Sequence, residues 1–179
     1  SAASLAARGW QVSLLERREG LAEEASGNPQ GVLYLKLSAH GTALSQMIVS
    51  GFGHTRRLLE HLQRGVDWDG CGVLQLAFDA KEAERQAQLA EAFAPDLLHL
   101  LDKDQAQLRA GVALEHGGLF FPEGGWVHPP ALCQWLARQP GVQVLTHRDV
   151  LELRKVDDQW QAWDGETLLA SAAVVVLAG

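Results

Sequence analysis

An acidic residue and a glycine-containing turn stand close together near the start of the chain. Glu16 ends the apolar stretch WQVSLLE, and ASGNPQG follows at residues 25–31. Small residues let backbone N–H groups approach a bulky anion closely, and Ser, Asn and Gln side chains add hydrogen bonds. The pattern therefore predicts a turn that wraps a large, negatively charged ligand. The alternative is a plain surface turn, which is the commoner fate of such composition.

The elements around Glu16 are typical of a dinucleotide-binding unit. Residues 1–8 (SAASLAAR) predict a helix that Gly9 ends, and residues 10–16 predict a strand. Helix, glycine, strand and acid form the second half of a βαβ unit, whose acid binds a ribose hydroxyl. That acid lies about 20 residues after the first glycine of G-x-G-x-x-G, so we expect the glycine motif upstream of Ser1. Taken alone, Glu16 is equally well an ordinary solvated acid.

The last residues of the chain predict a buried parallel strand. The stretch AAVVVLAG at 172–179 is a continuous apolar run that stops on Ala-Gly, where a ligand-facing turn would begin. Neither end therefore resembles a natural domain border. We expect a nucleotide-binding domain that is truncated at both ends.

Between these ends the predicted elements alternate and then become rich in strands. Helices are predicted at 43–64, 81–93, 95–101, 104–110 and 129–138, and strands at 72–78, 114–121, 125–128, 142–145, 150–156 and 160–163. This order predicts an α/β fold in which a second module is inserted into a Rossmann-like domain. The predicted division is a nucleotide-binding domain at 1–64 and 129–179 and an inserted α+β substrate domain at 65–128.

Composition and charge exclude several classes of protein. Apolar residues make up 47% and charged residues 21%, which is typical of a globular fold and excludes a disordered tail. No apolar run is long enough to cross a bilayer and no signal peptide opens the chain, which favours a cytoplasmic protein without a membrane partner. The formal charge of −7 argues against a dominant non-specific nucleic-acid surface.

The remaining polar and aromatic residues do not favour a metal site or a nucleic-acid site. Cys71 and Cys133 form no CxxC pair, and the seven histidines form no ligand motif such as H-E-x-x-H. The six tryptophans are scattered, which favours core packing over base stacking, and Trp126 alone stays a candidate for contact with a substrate. A small basic cluster is typical of a solvated helix face; it comprises Arg56, Arg57 and Arg64.

Several separated phrases together resemble one enzyme family. They are, in chain order, the acid at Glu16, ASGNPQG, GGLFFPEGGWVHPPALCQWL at 117–136 and the terminal VVVLAG. On these phrases the chain resembles the D-amino-acid-oxidase-like family of FAD oxidoreductases over essentially all 179 residues. The phrases ASGNPQGVLY, GVLQLAFD and GGWVHPPALC resemble in particular the members that modify the wobble uridine of tRNA.

The resemblance implies an FAD site around Glu16 and the ASGNPQG turn. The Glu16 carboxylate would accept hydrogen bonds from the adenosine ribose, and the turn would wrap the pyrophosphate and ribityl portion. Val32 and Leu33 would lie near the flavin ring, and Val150 would offer its backbone to the adenine. The expected cofactor contacts are Glu16, Arg17, Ala25, Ser26, Gly27, Asn28, Gln30, Gly31, Val32, Leu33, Val150, Ala178 and Gly179. Candidates for the substrate side are Tyr34, Lys36 and Trp126, and no catalytic residue is assigned.

The resemblance also implies a reaction, the oxidation of a C–N bond next to a carboxylate. Hydride would leave the substrate carbon for the flavin, and water would hydrolyse the resulting imine. For the tRNA-modifying members this means removal of the carboxymethyl group from 5-carboxymethylaminomethyl(-2-thio)uridine, giving the 5-aminomethyl form and glyoxylate. The implied partner is tRNA, and a methyltransferase domain in the same full-length chain stays open.

Two alternatives remain open at this point. The first is another amine or amino-acid oxidase of the same family, acting on a small free amine such as glycine or sarcosine. The second is a non-catalytic fragment that holds FAD weakly or not at all, because the glycine loop supplies the main anion site of such folds.

Overall fold

A computed structural model describes residues 1–178 of the chain. The fold is mixed α/β, as the sequence predicts, with five helices and eleven strands among the described residues. The chain separates into two compact units. Unit 1 contains Ser1–Pro29 and the chain from Pro129 onward, and unit 2 contains Gln30–His128. The predicted division placed residues 30–64 with the nucleotide-binding segments, whereas they pack within unit 2.

Unit 1 is built first around a parallel pair of strands. Its elements are α1 (Ala2–Ala6), β1 (Val12–Leu15), α5 (Pro129–Ala137) and β8 (Val142–Leu145). Strands β1 and β8 pair in parallel, with Val12 opposite Val142 and Leu15 opposite Leu145. Gly9 and Gly141 both have positive φ angles (87° and 86°), so glycine permits the turn that leads into each strand. The predicted helix, glycine and strand order is confirmed at both places.

Unit 1 also contains a three-stranded antiparallel sheet in the order β11-β10-β9. Its strands are β9 (Glu152–Val156), β10 (Gln159–Asp164) and β11 (Thr167–Ala172). Asp157 and Asp158 join β9 to β10 with φ angles of 47° and 64°, the conformation that two-residue hairpins require. Acidic side chains tolerate this left-handed region better than most, so the short DD turn fixes the register of the hairpin.

The predicted buried strand at 172–179 is wrong for the residues that the structure describes. Ala172 ends β11, and residues 173–178 form no strand. Val174 and Leu177 are 54% and 81% exposed. A parallel strand needs a neighbour to satisfy its backbone groups, and no strand among residues 1–178 lies beside this run. The apolar sequence alone therefore does not make the strand.

Unit 2 contains two antiparallel sheets and three helices. One sheet has the order β2-β7-β3, from β2 (Gly31–Leu33), β7 (Gly125–Val127) and β3 (Trp68–Asp69). The other has the order β4-β6-β5, from β4 (Val73–Leu76), β6 (Gly118–Phe121) and β5 (His99–Leu101). The helices are α2 (Ala43–Leu59), α3 (Ala80–Ala92) and α4 (Lys103–Ala110).

Side-chain caps start all three helices of unit 2. Thr42 accepts a hydrogen bond from Ser45 N (3.1 Å), and Asp79 accepts one from Glu82 N (2.7 Å). Asp102 forms a capping box with Gln105, in which each side chain bonds the other's main chain. Each cap satisfies an N–H group that has no partner inside the helix, which stabilises the helix by about 1 kcal/mol.

The hydrophobic core of unit 2 lies where helices α2 and α3 cover the β4-β6-β5 sheet. Its buried members are Leu35, Leu37, Phe52, Leu89, Leu98, Leu119 and Phe121. Leu119 and Phe121 alternate with Phe120 along β6, so they lie on one face and Phe120 lies on the other. The core therefore occupies one face of the sheet, while the opposite face carries a different set of side chains.

One predicted helix in unit 2 is a strand. Residues 95–101 were predicted to be helical, but His99–Leu101 is β5 and pairs with β6, with His99 opposite Phe120. Residues 95–97 form a turn, and Leu98 is fully buried in the core. The apolar run LLHLL has no periodicity that distinguishes a helix from a strand. It forms a strand because it pairs with β6. Among the described residues, no helix combines the length and the apolar character that crossing a membrane requires.

Candidate functional site

The half-buried residue Glu16 lies directly after β1, at the carboxyl end of the parallel pair. Its main chain continues the pairing, because Glu16 N donates to Leu145 O (2.9 Å) and Arg148 N donates to Glu16 O (2.9 Å). Its Oε1 accepts a hydrogen bond from Arg18 N at 2.8 Å. Its Oε2 accepts none from the described residues. The carboxylate is thus oriented by its own loop and has one oxygen available at the edge of the sheet where α/β folds bind ligands.

Glu24 connects the segment after β1 to the predicted cofactor turn. Its Oε1 accepts hydrogen bonds from the guanidinium groups of Arg17 and Arg18, and the Arg18 Nη2 distance is 2.9 Å. The hydrogen bond from Arg17, followed by that from Arg18, lowers the pKa of Glu24, and the same contact raises the pKa of Arg17. All three groups are exposed, so the cluster orients the loop and adds little to stability.

The turn at residues 25–28 is exposed and held by its own main chain. Gly27 N donates to Glu24 O (2.9 Å), and Asn28 Nδ2 donates to Ala25 O (3.3 Å). A Cβ at Gly27 would lie 2.9 Å from Ala22 O, so the turn has no room for a side chain there. Ser26 presents its hydroxyl to solvent without a hydrogen-bond partner among the described residues. The turn therefore offers polar groups on an exposed surface.

An extended segment with strict two-residue alternation follows the turn. Leu35 and Leu37 are 2% and 7% exposed and belong to the core, whereas Val32 is 68% exposed and Tyr34 and Lys36 also face outward. Within it, β2 pairs with β7 so that Val32 lies directly opposite Trp126. Val32 and Trp126 therefore share one face of the β2-β7-β3 sheet.

The strand that carries Trp126 is fixed closely to its neighbours. Gly125 has no room for a side chain, because a Cβ there would lie 1.8 Å from Asp69 O. Just before it, Glu123 forms an ion pair with Arg56 of α2. Tyr34 contacts Phe121 edge to face, with ring centroids 6.0 Å apart. These contacts determine the positions of the candidate substrate residues within unit 2.

The remaining predicted residues lie at the ends of elements. Gln30, at the start of unit 2, is exposed, and Gly31 opens β2. Val150 is partly exposed just before β9, and Leu151 N next to it donates to Trp163 O (2.9 Å). Ala178 is exposed, and Gly179 lies outside the described residues.

The structure brings the predicted residues together in two groups. Glu16 and Arg17 are linked through Glu24 to the turn at 25–28 in unit 1. Val32 and Trp126 lie side by side in unit 2, with Tyr34 and Lys36 further along the same segment. Sequence reasoning missed Glu24 and Arg18. The signal was the pair of adjacent arginines followed by the acidic pair at 23–24, which together predict an ion cluster across a short loop.

A metal centre is not indicated by the described residues, among which no group of three or more His, Cys, Asp or Glu side chains is placed to hold an ion. The described residues thus offer a strand-end carboxylate and an exposed polar turn in unit 1 and, separately, an apolar strand face in unit 2. Polar groups and apolar surfaces of these kinds are common in sites for organic ligands.

The sequence matches one protein family along its whole length. The family is described as DAO, FAD dependent oxidoreductase, and the match covers residues 1–179. A "tRNA 5-methylaminomethyl-2-thiouridine biosynthesis bifunctional protein MnmC" from Pseudomonas fluorescens is 82% identical over 179 residues. A protein with the same description from Pseudomonas putida is 74% identical. Each match covers all of this chain and 27% of the relative, so the chain spans about a quarter of the length of these relatives.

Solved structures show the same fold at low sequence identity. An L-alpha-glycerophosphate oxidase from Mycoplasma pneumoniae with FAD bound aligns with a TM-score of 0.72 and 21% identity, covering 96% of this chain and 49% of the oxidase. A glycine oxidase from Bacillus cereus aligns with a TM-score of 0.72 and 21% identity, covering 93% of this chain and 49% of that oxidase.

Proposed function

The chain belongs to the DAO family of FAD-dependent oxidoreductases, and from that premise we propose that it acts within an enzyme that modifies the wobble uridine of tRNA. The reaction is the oxidative removal of the carboxymethyl group from 5-carboxymethylaminomethyl(-2-thio)uridine, which leaves the 5-aminomethyl form and glyoxylate. The observation that carries the proposal is the identity of 82% over all 179 residues to a relative named for the biosynthesis of a tRNA nucleoside. A tRNA substrate implies a cytoplasmic location.

FAD is the cofactor of this family, and the groups around Glu16 suit its adenosine half. A carboxylate with one oxygen free at the end of a parallel strand is the acceptor that ribose hydroxyls require. The neighbouring turn presents the Ser26 hydroxyl on an exposed surface, and Gly27 lets the turn close tightly against the main chain of Ala22 and Glu24. We propose that these residues, together with Arg17 and Ala25, hold the cofactor from unit 1.

We propose that unit 2 supplies the substrate side. FAD, when bound, would supply the hydride acceptor for the carbon next to the substrate nitrogen. Val32 and Trp126 form an apolar face that excludes water from the reacting C–N bond. Lys36 and the Tyr34 hydroxyl, both outward on the same segment, hold the substrate carboxylate by charge and hydrogen bonding. On this proposal the compact units correspond to a cofactor domain and a substrate domain.

The test uses a full-length chimera in which this chain replaces the 82% identical segment of the Pseudomonas fluorescens relative. The purified chimera is incubated with tRNA bearing the carboxymethylaminomethyl group, and digested nucleosides are analysed by mass spectrometry. We expect conversion to the 5-aminomethyl nucleoside with one glyoxylate released per nucleoside. The control is tRNA that carries no side chain at the wobble uridine.

The competing family activity is tested in the same preparation. Glycine and sarcosine are offered alone, and hydrogen peroxide and glyoxylate are measured. Turnover of these free amines without any change in the tRNA would refute the proposal and establish a small-amine oxidase. A chimera that lacks flavin absorbance altogether would instead support the view that this segment cannot hold FAD.

A further inference from the structure

Unit 2 contains a cavity that the proposed FAD and substrate contacts do not use. It lies between β5, β6 and α4 on the face of the β4-β6-β5 sheet opposite the core, and its volume is about 550 Å³. Its apolar wall is formed by Leu101, Leu108, Phe120 and Pro122, and its polar wall by His99, Gln105 and Arg109. A volume of this size lies within the range of roughly 300–1,000 Å³ that is typical of small-molecule sites.

An arginine lies over an aromatic ring in this cavity. The guanidinium carbon of Arg109 is 4.6 Å from the centroid of Phe120. The Phe120 ring is 4% exposed and also receives the edge of His99, with centroids 5.6 Å apart. No carboxylate among the described residues pairs with Arg109. Its charge is therefore uncompensated, and one side of its guanidinium lies over the Phe120 ring while the residue as a whole is exposed.

The other two polar residues of the wall also keep groups free for a ligand. His99 Nδ1 donates to Pro95 O (2.8 Å), which fixes the ring and leaves Nε2 without a partner among the described residues. Gln105 Oε1 accepts a hydrogen bond from Asp102 N (3.1 Å), which leaves its Nε2 as a free donor. Each side chain is thus oriented by one contact and has a second nitrogen available.

The charge of the cavity wall contrasts with that of the chain. The chain carries 22 acidic and 15 basic residues, a net charge of −7, whereas no acid lines the cavity. A wall with one unpaired cation, polar nitrogens and apolar surface complements a ligand that combines a negative charge with a flat apolar body. A nucleotide has both, in its phosphate and its base.

We propose that this cavity binds one unpaired nucleotide of an RNA substrate, with its base stacked on the Arg109 guanidinium and its phosphate beside the same cationic wall. Single-stranded RNA is commonly recognised in this way, by stacking of bases on aromatic rings and arginine planes. The assignment rests on the proposed tRNA substrate. The Leu108 side chain at the rim is 87% exposed, so a polynucleotide can enter and leave the site, whereas an acyl chain would lie partly in water.

The test measures RNA binding by the full-length chimera described above. Fluorescein-labelled tRNA and a labelled single-stranded oligonucleotide are titrated, and Kd is obtained from fluorescence anisotropy. Arg109→Ala is expected to weaken Kd by roughly fivefold to 150-fold, the value of one base stack. Arg109→Lys keeps the charge in the last turn of α4 but loses the flat surface, so it is expected to recover only part of the loss.

A second pair of variants tests the cavity rim. Leu108→Asp places a negative charge at the mouth and is expected to weaken Kd, because it repels the phosphate. Leu44→Asp is its matched control, since Leu44 is 64% exposed on α2 and does not line the cavity. Arg57→Ala, an exposed arginine of α2, is the control for Arg109→Ala. Flavin absorbance and thermal unfolding of every variant verify that the fold is retained.

The outcomes separate this proposal from the proposed function. If the wild-type chimera modifies tRNA and Arg109→Ala binds RNA equally well, the cavity assignment is overturned while the function stands. If Arg109→Ala and Arg57→Ala weaken the Kd for RNA equally, or if Arg109→Lys binds RNA as tightly as wild type, base stacking on Arg109 is excluded and non-specific charge attraction explains the binding. If RNA binding depends on Arg109 but no tRNA is modified, the cavity assignment stands and the function fails. Decanoate, a fatty-acid probe, is titrated in parallel. If Leu108→Asp weakens the binding of decanoate and leaves the Kd for RNA unchanged, the nucleotide assignment is overturned.

Discussion

Glu16→Gln is the substitution that tests the proposed cofactor site most directly. Glutamine keeps the Oε1 acceptor that Glu16 uses to bind Arg18 N at 2.8 Å, so the loop after β1 retains its internal hydrogen bond. It replaces the free Oε2 by an amide nitrogen, which donates hydrogen bonds and carries no negative charge. The variant therefore removes the expected ribose acceptor and leaves the surrounding loop intact.

The expected magnitude follows from the single free oxygen. A hydrogen bond to a charged group contributes about 1.5–3 kcal/mol. Loss of one such bond should weaken FAD binding by about 10-fold to 150-fold. Glu16→Ala also removes the bond to Arg18 N, so it should weaken FAD binding at least as much and lower the thermal stability of the apoprotein as well.

The assay is a titration of the FAD-free full-length chimera with FAD, in which binding is monitored through the quenching of flavin fluorescence. Thermal unfolding of the apoproteins is measured alongside, because it reports the loop without the cofactor. We expect Glu16→Gln to unfold at the wild-type temperature and to bind FAD more weakly. If Glu16→Gln binds FAD as tightly as wild type, Glu16 is an ordinary strand-end acid and the reasoning from βαβ geometry fails.

Three further predictions concern stability. Gly27→Ala places a Cβ 2.9 Å from a main-chain oxygen and should cost about 1–3 kcal/mol in urea unfolding, visible as a lower midpoint. Gly125→Ala places a Cβ 1.8 Å from a main-chain oxygen and should lower the free energy of unfolding by about 3 kcal/mol or more. Gly51→Ala is its control, because a Cβ there has open space and should stabilise α2 by about 0.5–1 kcal/mol. Equal effects of the two substitutions would contradict the geometry. The pKa of Glu82 is lowered to about 2, chiefly by the hydrogen bond from Arg85 (2.5 Å), so its contribution is present above pH 4.5 and lost as the pH falls towards 2. Glu82→Gln should flatten that part of the stability–pH profile, and an unchanged slope would exclude the pair as its cause.

The sequence predicts the elements whose local signals agree with their surroundings. The helix predicted at 43–64 is confirmed over Ala43–Leu59 as α2, because Thr42 caps it and its apolar spacing is helical in spite of two internal glycines; residues 60–64 are not helical. The strand before Glu16 and the helix that starts at Pro129 are confirmed for similar reasons. In these places the local pattern and the tertiary contacts favour the same conformation.

Other elements depend on contacts that the sequence does not display. The strand β5 was mistaken for a helix, because only its pairing with β6 distinguishes the two conformations. The apolar run at 173–178 reads as a strand, but none of the described strands is available beside it. Short strands such as β2 and β3 cannot be predicted from the sequence, because two or three residues are too few to show a periodic pattern.

In the candidate site, too, local sequence predicts some features and not others. The position of Glu16 at a strand end can be predicted, because a glycine, an apolar strand-like stretch and an acid follow one another in the sequence. The link through Glu24 does not, because an ion pair between side chains seven residues apart in a loop has no periodic pattern. The pairing of Val32 with Trp126 joins residues that lie far apart in the chain, and no local rule predicts that register.

The alternation from Gly31 to Leu37 also limits how this chain can diverge. Because neighbouring residues point in opposite directions, the exposed Lys36 can be exchanged at little cost to folding, whereas Leu35 and Leu37 cannot. Adding or deleting one residue would turn Leu35 and Leu37 to solvent and bury a lysine. Substitutions at the exposed positions of this segment are therefore tolerated, while its length stays under strict constraint.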